Sequence, residues 1–263
     1  MEYTTLLISS LSLYVVTAFI LFFNKVKNKK LASFTLISAL ITHASLIYIT
    51  IILNNINLNF ANSLLLLSWV TVLFYYLINR KMQFIGLENL TITPAILIIL
   101  CHPLLRNDHH LEIQMSITSI IHIIIAILSY SLLTIGALFS IFILLFEKEL
   151  NKKDKKIDNL ASNFSLLKME DILFKIYWLG FLLLSITLFS GLLFSGDIFG
   201  SLLIWNHKTF FSFLAWVIYG GMLIGRFNYG WRGEKAVVIS LVAFLFLFLS
   251  YFGTKFVLEI LLS

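Results

Sequence analysis

Of the chain's 263 residues, 60% are hydrophobic and only 12% charged, and the mean hydropathy is +0.97. A soluble domain carries about twice that share of charge, and a helical crossing of a bilayer takes about 20 apolar residues, so the long apolar runs exclude water-soluble classes. The single cysteine, Cys101, excludes an internal disulfide, a CxxC redox pair and a cysteine-ligated zinc site.

The pattern predicts an all-α polytopic transmembrane bundle of eight spans: 4–23, 31–53, 61–79, 84–105, 115–146, 176–195, 209–226 and 236–258. The runs lack the period of two that a barrel requires. "MEYTTLLISS" has neither a basic n-region nor a small-residue cleavage site, and reads as a retained first span. The two prolines, Pro94 and Pro103, both fall in the fourth segment, which is the helix expected to kink or end early. The fifth span runs on into "FEKELNKKDKK". Beyond it, "NLASNFSLLKMEDILFK" (159–175) mixes apolar residues with charges, so it reads either as an interfacial amphipathic helix or as a solvated linker.

Loops 24–30, 80–81, 147–175 and 225–235 hold 16 of the 19 Lys and Arg residues, leaving Arg106, Lys208 and Lys255 on the other side. The positive-inside rule then places both termini outside and segment 147–175 in the cytoplasm. This distribution accounts for the net charge of +6 without a nucleic-acid partner. The partners expected are the lipid bilayer and, through 147–175, a membrane or cytoplasmic protein. The reading treats residues 1–263 as one integral membrane domain.

Six histidines punctuate the chain. His102, His109, His110 and His207 are expected at or near the outer surface as interfacial or solvated residues. His43 and His122 fall inside spans, where an ionisable group is costly and faces the bundle interior. At about 1.5 Å rise per residue, His122 lies roughly 12 Å inward from Gln114 and His43 roughly 16 Å inward from Asn54. Each sits on a stripe of small or polar side chains: Thr35, Ala39, His43 and Thr50 on the second span, and Thr118, His122, Ala126, Ser129 and Gly136 on the fifth. Such stripes either bring helices close or leave room for a flat ligand. Each imidazole either bonds a hydroxyl or carbonyl of a neighbouring helix or shares a ligand with the other. Two neutral imidazoles suit a haem iron. Zinc asks for further ligands that are not evident at this depth, and Glu88, near the cytoplasmic end, is the only carboxylate placed for proton transfer.

The segment "SIIHIIIAILSYSLLTIGALFSIFILLFEKEL" (119–150) resembles the histidine-bearing helix of the cytochrome c assembly family, the membrane proteins that carry or attach haem. The resemblance continues through "SLLKMEDILFKIYWLGFLLLSITLFSGLLF" (165–194) and "WNHKTFFSFLAWVIYGGMLIGRFNYGWRGEKA" (205–236) to "LFLSYFG" (247–253). The Trp-Arg-Gly turn and the spacing from Trp205 to Trp216 are its most specific parts. "ITHASLIY" (41–48) is similar to the family's helix-two histidine. The branch resembled is the short eight-span YpjD-like and HemX-like group of inner-membrane proteins.

That resemblance implies haem handling or support of cytochrome biogenesis in a bacterial inner membrane, without catalysis. It implies haem b held by His43 and His122 as metal ligands, with Ala39, Ala126, Ser129 and Trp205 lining the site. External Lys208 or Arg106 would pair with the propionates. The haem-attaching members carry a tryptophan-rich external loop ending in Trp-Asp-Pro-Lys-Glu. In "FGSLLIWNHKT" (199–209), Gly200, Trp205 and Lys208 match that loop, but Phe199, Leu203, Asn206, His207 and Thr209 depart from it, and Ile224 stands where the family has a histidine. These departures speak against presenting haem to an apocytochrome.

Within "GRFNYGWRGEK", Gly230 and Gly233 are expected to allow a tight turn. Arg226, Arg232 and Lys235 are expected to meet anionic headgroups, Trp231 the interfacial belt, and Gly221 with Gly225 a packing face. Two rival functions remain: a transporter or export accessory for a non-haem solute, and a membrane regulator of tetrapyrrole synthesis acting through 147–175.

Overall fold

The computed structural model describes residues 2–23, 29–53, 57–82, 86–105, 117–151, 166–199 and 207–257. Eight long helices account for nearly all of them: α1 (Glu2–Phe23), α2 (Lys29–Ile47), α3 (Phe60–Met82), α4 (Leu87–Leu105), α5 (Ile117–Asn151), α6 (Leu166–Phe199), α7 (His207–Tyr229) and α8 (Gly233–Phe248). All eight are long and apolar enough to cross a membrane. No strand occurs among the described residues. The chain is an all-helical, multi-span membrane protein, as its periodicity predicts.

The helices gather into two compact units. One comprises residues 1–114 with 255–263, the other residues 115–254.

In the first unit α1 packs on α2 and α4, and α3 packs on α4 and α2. Thr17 and Thr35 meet hydroxyl to hydroxyl at 3.0 Å across α1 and α2. Trp69 Nε1 donates to the Leu40 carbonyl at 2.8 Å, tying α3 to the middle of α2. Helix α3 starts where Asn59 accepts the Asn62 main-chain N–H at 2.8 Å, a side-chain cap on one of the four otherwise unpaired amides of a helix start. Lys255 donates to the Leu58 carbonyl just before that start. Helix α4 runs through Pro94 and Pro103 and ends at Leu105, so it stops two residues after the second proline.

In the second unit α5 and α6 share the most extensive contact, and α8 packs on both α5 and α7. Glycine permits that closeness at two positions. A Cβ on Gly136 would stand 2.7 Å from Tyr177 Cε1, and one on Gly180 would stand 2.7 Å from Leu133 Cδ2. The stripe of small residues on α5 is therefore partly a packing surface. Beside Gly136, the Tyr177 hydroxyl meets Ser140 Oγ at 2.8 Å and Ser240 Oγ at 2.9 Å. This buried polar layer joins α5, α6 and α8, and each bond in it fixes helix rotation.

Several sequence expectations change. The sixth helix begins at Leu166, ten residues before the expected start at 176, because 166–175 forms its first turns instead of a separate interfacial helix. Residues 152–165 of the connecting segment lie outside the described residues. Gly230 adopts φ +64 and ends α7, its N–H bonding the Arg226 carbonyl at 3.2 Å, the left-handed cap that glycine tolerates best. Trp231 then folds back over Gly225, where a Cβ would lie 2.2 Å from its ring, whereas a Cβ on Gly221 would meet nothing within 4 Å. The Gly221–Gly225 pair is thus not one packing face. Gly225 makes room for a side chain from its own turn.

Arg226 is also redirected. It does not reach out to headgroups. Its side chain is 14% exposed, bonds Asp171 Oδ1 at 3.2 Å and comes within 4.0 Å of Glu170. The guanidinium stacks 4.4 Å over Phe174, and Glu170 also accepts the Gly233 N–H at 2.8 Å. Two carboxylates on the first turns of α6 hold the α7–α8 turn and account for this.

The sequence gives no hint of two π-helical turns, Tyr48–Ile52 after α2 and Leu249–Gly253 after α8.

Candidate functional site

Among the described histidines His43 is the most enclosed, with 0% of its surface exposed. It sits in the middle of α2, where Ala39 is fully buried one turn earlier. Its Nδ1 lies 3.2 Å from the Tyr14 hydroxyl of α1, and the two rings meet edge to face at 5.7 Å and 90°. Its other nitrogen, Nε2, has no hydrogen-bond partner. The main chain of Leu65 comes near enough to act on the ring, but not in hydrogen-bonding geometry. A buried imidazole nitrogen left unpaired costs about 1–3 kcal/mol, and the Leu65 main chain is the group beside His43 that can relieve part of that cost.

His102 shows what a satisfied buried histidine looks like in the same unit. The sequence reading placed it at the outer surface, but it is only 1% exposed. Its Nε2 donates to Asn62 Oδ1 at 3.0 Å, and its Nδ1 meets the Tyr3 hydroxyl at 2.8 Å. Asn62 in turn donates to the Asn57 carbonyl at 2.9 Å. Both ring nitrogens are occupied by protein, so His102 clamps α1, α3 and α4 together and has no nitrogen left for a ligand. Position alone misled here: a histidine one residue before a proline near a helix end is usually wet, and only the packing of α1 over it makes it dry.

His122 differs from both. It is half-buried on α5, and its Nδ1 meets Ser190 Oγ of α6 at 2.8 Å. Ser190 Oγ itself donates to the Thr187 carbonyl at 3.1 Å. One hydroxyl hydrogen thus serves either the Thr187 carbonyl, with the serine oxygen accepting from Nδ1–H, or Nδ1 itself, as the tautomer of His122 decides. Gly191 stands beside the ring, its site for a Cβ 3.4 Å from Cε1, so a glycine–serine pair on α6 shapes the space around the histidine. Lys208 is close enough to act electrostatically on it.

The other sequence candidates sort as follows. Ser129 is buried and donates to the Gly180 carbonyl at 3.1 Å, while Ala126, one turn from His122, is partly exposed. Trp205, Arg106, His109 and His110 lie outside the described residues, and His207 is exposed at the start of α7. Glu88 is buried and accepts the Gly86 N–H at 2.8 Å, which makes it a cap for the start of α4. Among the described residues, no three His, Cys, Asp or Glu side chains gather as a metal site.

The sequence reading missed Tyr14 and Ser190. The signal for Tyr14 was available: counted inward from Thr4 it lies about 15 Å deep, the depth of His43. Ser190 is one of many serines on apolar helices, and nothing in its spacing singles it out.

Comparison with known proteins decides the lineage. The family model described as cytochrome C assembly protein matches residues 57–262. The chain belongs to that family. Two cytochrome c biogenesis proteins CcsA are among its relatives. The one from Mesostigma viride is 25% identical over 75% of this chain and 73% of its own length, and the one from Chlamydomonas reinhardtii is 33% identical over 52% and 38%. The inner membrane protein YpjD of Escherichia coli is 29% identical over 59% of this chain and 57% of its own length. The family match includes His102, His122 and the turn at Trp231 and begins after His43. His43 therefore rests on its own geometry, and that geometry fits an axial nitrogen: one ring nitrogen is tethered and the other is buried and unpaired.

Proposed function

We propose that this chain is a haem-handling protein of the bacterial inner membrane that supports cytochrome c biogenesis without catalysing a covalent step. His43 and His122 would be the residues that hold its haem b, both termini lie outside, and the 147–175 segment meets a partner on the cytoplasmic side. The observation that carries the reading is the buried, unpaired Nε2 of His43. A ligating histidine characteristically donates its remaining N–H to a neighbouring oxygen, which orients the ring and raises its basicity, and each histidine has such an oxygen in its own unit, Tyr14 Oη or Ser190 Oγ. Haem, when bound, supplies a redox-active iron in an apolar macrocycle with two anionic propionates.

Around that iron the chain's own residues have separable tasks. His43 and His122 bind, while Ala39, Ala126 and Ser129 keep the helix surface beside each ligand low. Trp205 and Lys208 serve the outer edge, where the Lys208 ammonium would pair with a propionate. The names of the CcsA and YpjD relatives agree with cytochrome c biogenesis and an inner-membrane location.

The test is the absorption spectrum of detergent-purified, haem-loaded protein, oxidised and reduced, beside His43→Ala and His122→Ala. The expected result is a low-spin spectrum with sharp reduced bands, converted in each variant to a single-histidine form or lost. Haem-loaded wild-type protein without such bands, or variants with unchanged bands, would overturn the ligand assignment.

A further inference from the structure

Tyr14 is 0% exposed and sits in the middle of an apolar helix. A phenol there must be desolvated, so its hydroxyl requires a partner. The partner is His43 Nδ1 at 3.2 Å. We propose that Tyr14 is the positioning residue of the His43 ligand: its oxygen accepts the hydrogen bond of Nδ1–H, fixes the ring plane and tunes the electron density that Nε2 would offer to iron. The inference rests on the reading of His43 as a haem ligand.

An imidazole that ligates through Nε2 carries its proton on Nδ1. In a fully buried site that N–H has to find an acceptor within reach, and Tyr14 Oη is the one in place. Without a ligand the roles reverse. The tyrosine O–H then donates to Nδ1, and the proton sits on Nε2, near the Leu65 main chain but without a hydrogen bond to it. With a haem bound, Nε2 would be the nitrogen that holds it, and the tyrosine hydrogen would turn away by rotation about its C–O bond.

The edge-to-face contact at 90° adds a second constraint, because the ring of His43 cannot rotate without driving into Tyr14. One turn further along α1, the Thr17–Thr35 contact at 3.0 Å keeps α1 and α2 in register, so Tyr14 is held at the height of His43. Donation from Nδ1–H to an oxygen raises the basicity of a metal-bound imidazole. A more basic ligand favours the ferric iron, so Tyr14 lowers the reduction potential of the haem.

The experiment titrates haemin into the detergent-purified full chain and measures affinity and reduction potential for wild type, Tyr14→Phe, Thr17→Val and His43→Ala. Tyr14→Phe keeps the ring and removes only the hydroxyl. It is expected to weaken haemin binding by about tenfold, the lower end of the 10- to 100-fold loss typical when an outer partner of a metal ligand is removed. Its potential is expected to shift positive. Thr17→Val disturbs the same helix pair without touching His43 and is expected to leave the potential in place. Wild-type affinity and potential in Tyr14→Phe, with haem lost or converted to a single-histidine form in His43→Ala, would overturn the role of Tyr14 while leaving the ligand intact. Equal shifts in Tyr14→Phe and Thr17→Val would reduce Tyr14 to a packing residue. A low-spin spectrum unchanged in His43→Ala would remove the ligand and the inference together.

Discussion

His43 and His122 sit in helices of similar hydropathy, yet the two units treat them differently. The first unit encloses His43 completely, gives it one phenol and leaves its second nitrogen dry. The second leaves His122 half-exposed, gives it a serine already anchored to its own helix, and sets Lys208 within electrostatic reach. The lesson is that an intramembrane histidine is defined by what its second nitrogen meets. His102 makes the same point from the opposite direction. It is as dry as His43, but both of its nitrogens are used, so it holds helices together.

The largest effects should come from removing the two ligands, and they should not be equivalent. In His122→Gly, added imidazole should enter the half-exposed site and restore the low-spin spectrum. In His43→Gly the same imidazole should fail, because the side chain is fully enclosed in the wild type. Equal rescue at both positions would erase the difference between a dry and a wet ligand.

Next in size is Gly225→Leu, which drives a side chain into Trp231, where even a Cβ would stand 2.2 Å away. Overpacking of this kind costs about 1–3 kcal/mol, read as a lower midpoint of thermal unfolding in detergent. It should leave the haem spectrum unchanged, since the turn lies at the far end of α7 from His207.

His102→Phe should cost about 1–3 kcal/mol by stranding Asn62 Oδ1 and the Tyr3 hydroxyl, again with haem retained. A lost or altered haem spectrum in this variant would move the ligand role from His122 to His102. The smallest effect expected is from Arg226→Gln. Its partner Asp171 is 60% exposed, so the loss is set by the better-covered Glu170 and amounts to about 1 kcal/mol or less, measured by the same unfolding midpoint.

Much of the fold was legible in the sequence because bilayer solvation is a one-dimensional constraint. A run of about 20 apolar residues has few alternatives to a helix, so all eight spans appeared with boundaries shifted by a few residues, except at 166–175. There the charges of "KMED" disguised helix as linker, because Glu170 and Asp171 find Arg226 from another part of the chain instead of water. The candidate histidines were legible for the same reason: a polar group inside an apolar run is conspicuous.

The sequence by itself determined the solvent, the helix count, the depth of His43 and His122 and the resemblance that the family match bears out. Only the tertiary structure decided which side chains meet. Helix rotation and neighbour choice depend on contacts such as Gly136 with Tyr177, Trp69 with Leu40 and Tyr14 with His43, each joining residues far apart in the chain. Lipid tails are as apolar as leucine, so hydrophobicity gives little direction to helix packing in a membrane, and small residues and buried hydroxyls make the choice. That choice is why His102 became a clamp and His43 kept an open nitrogen.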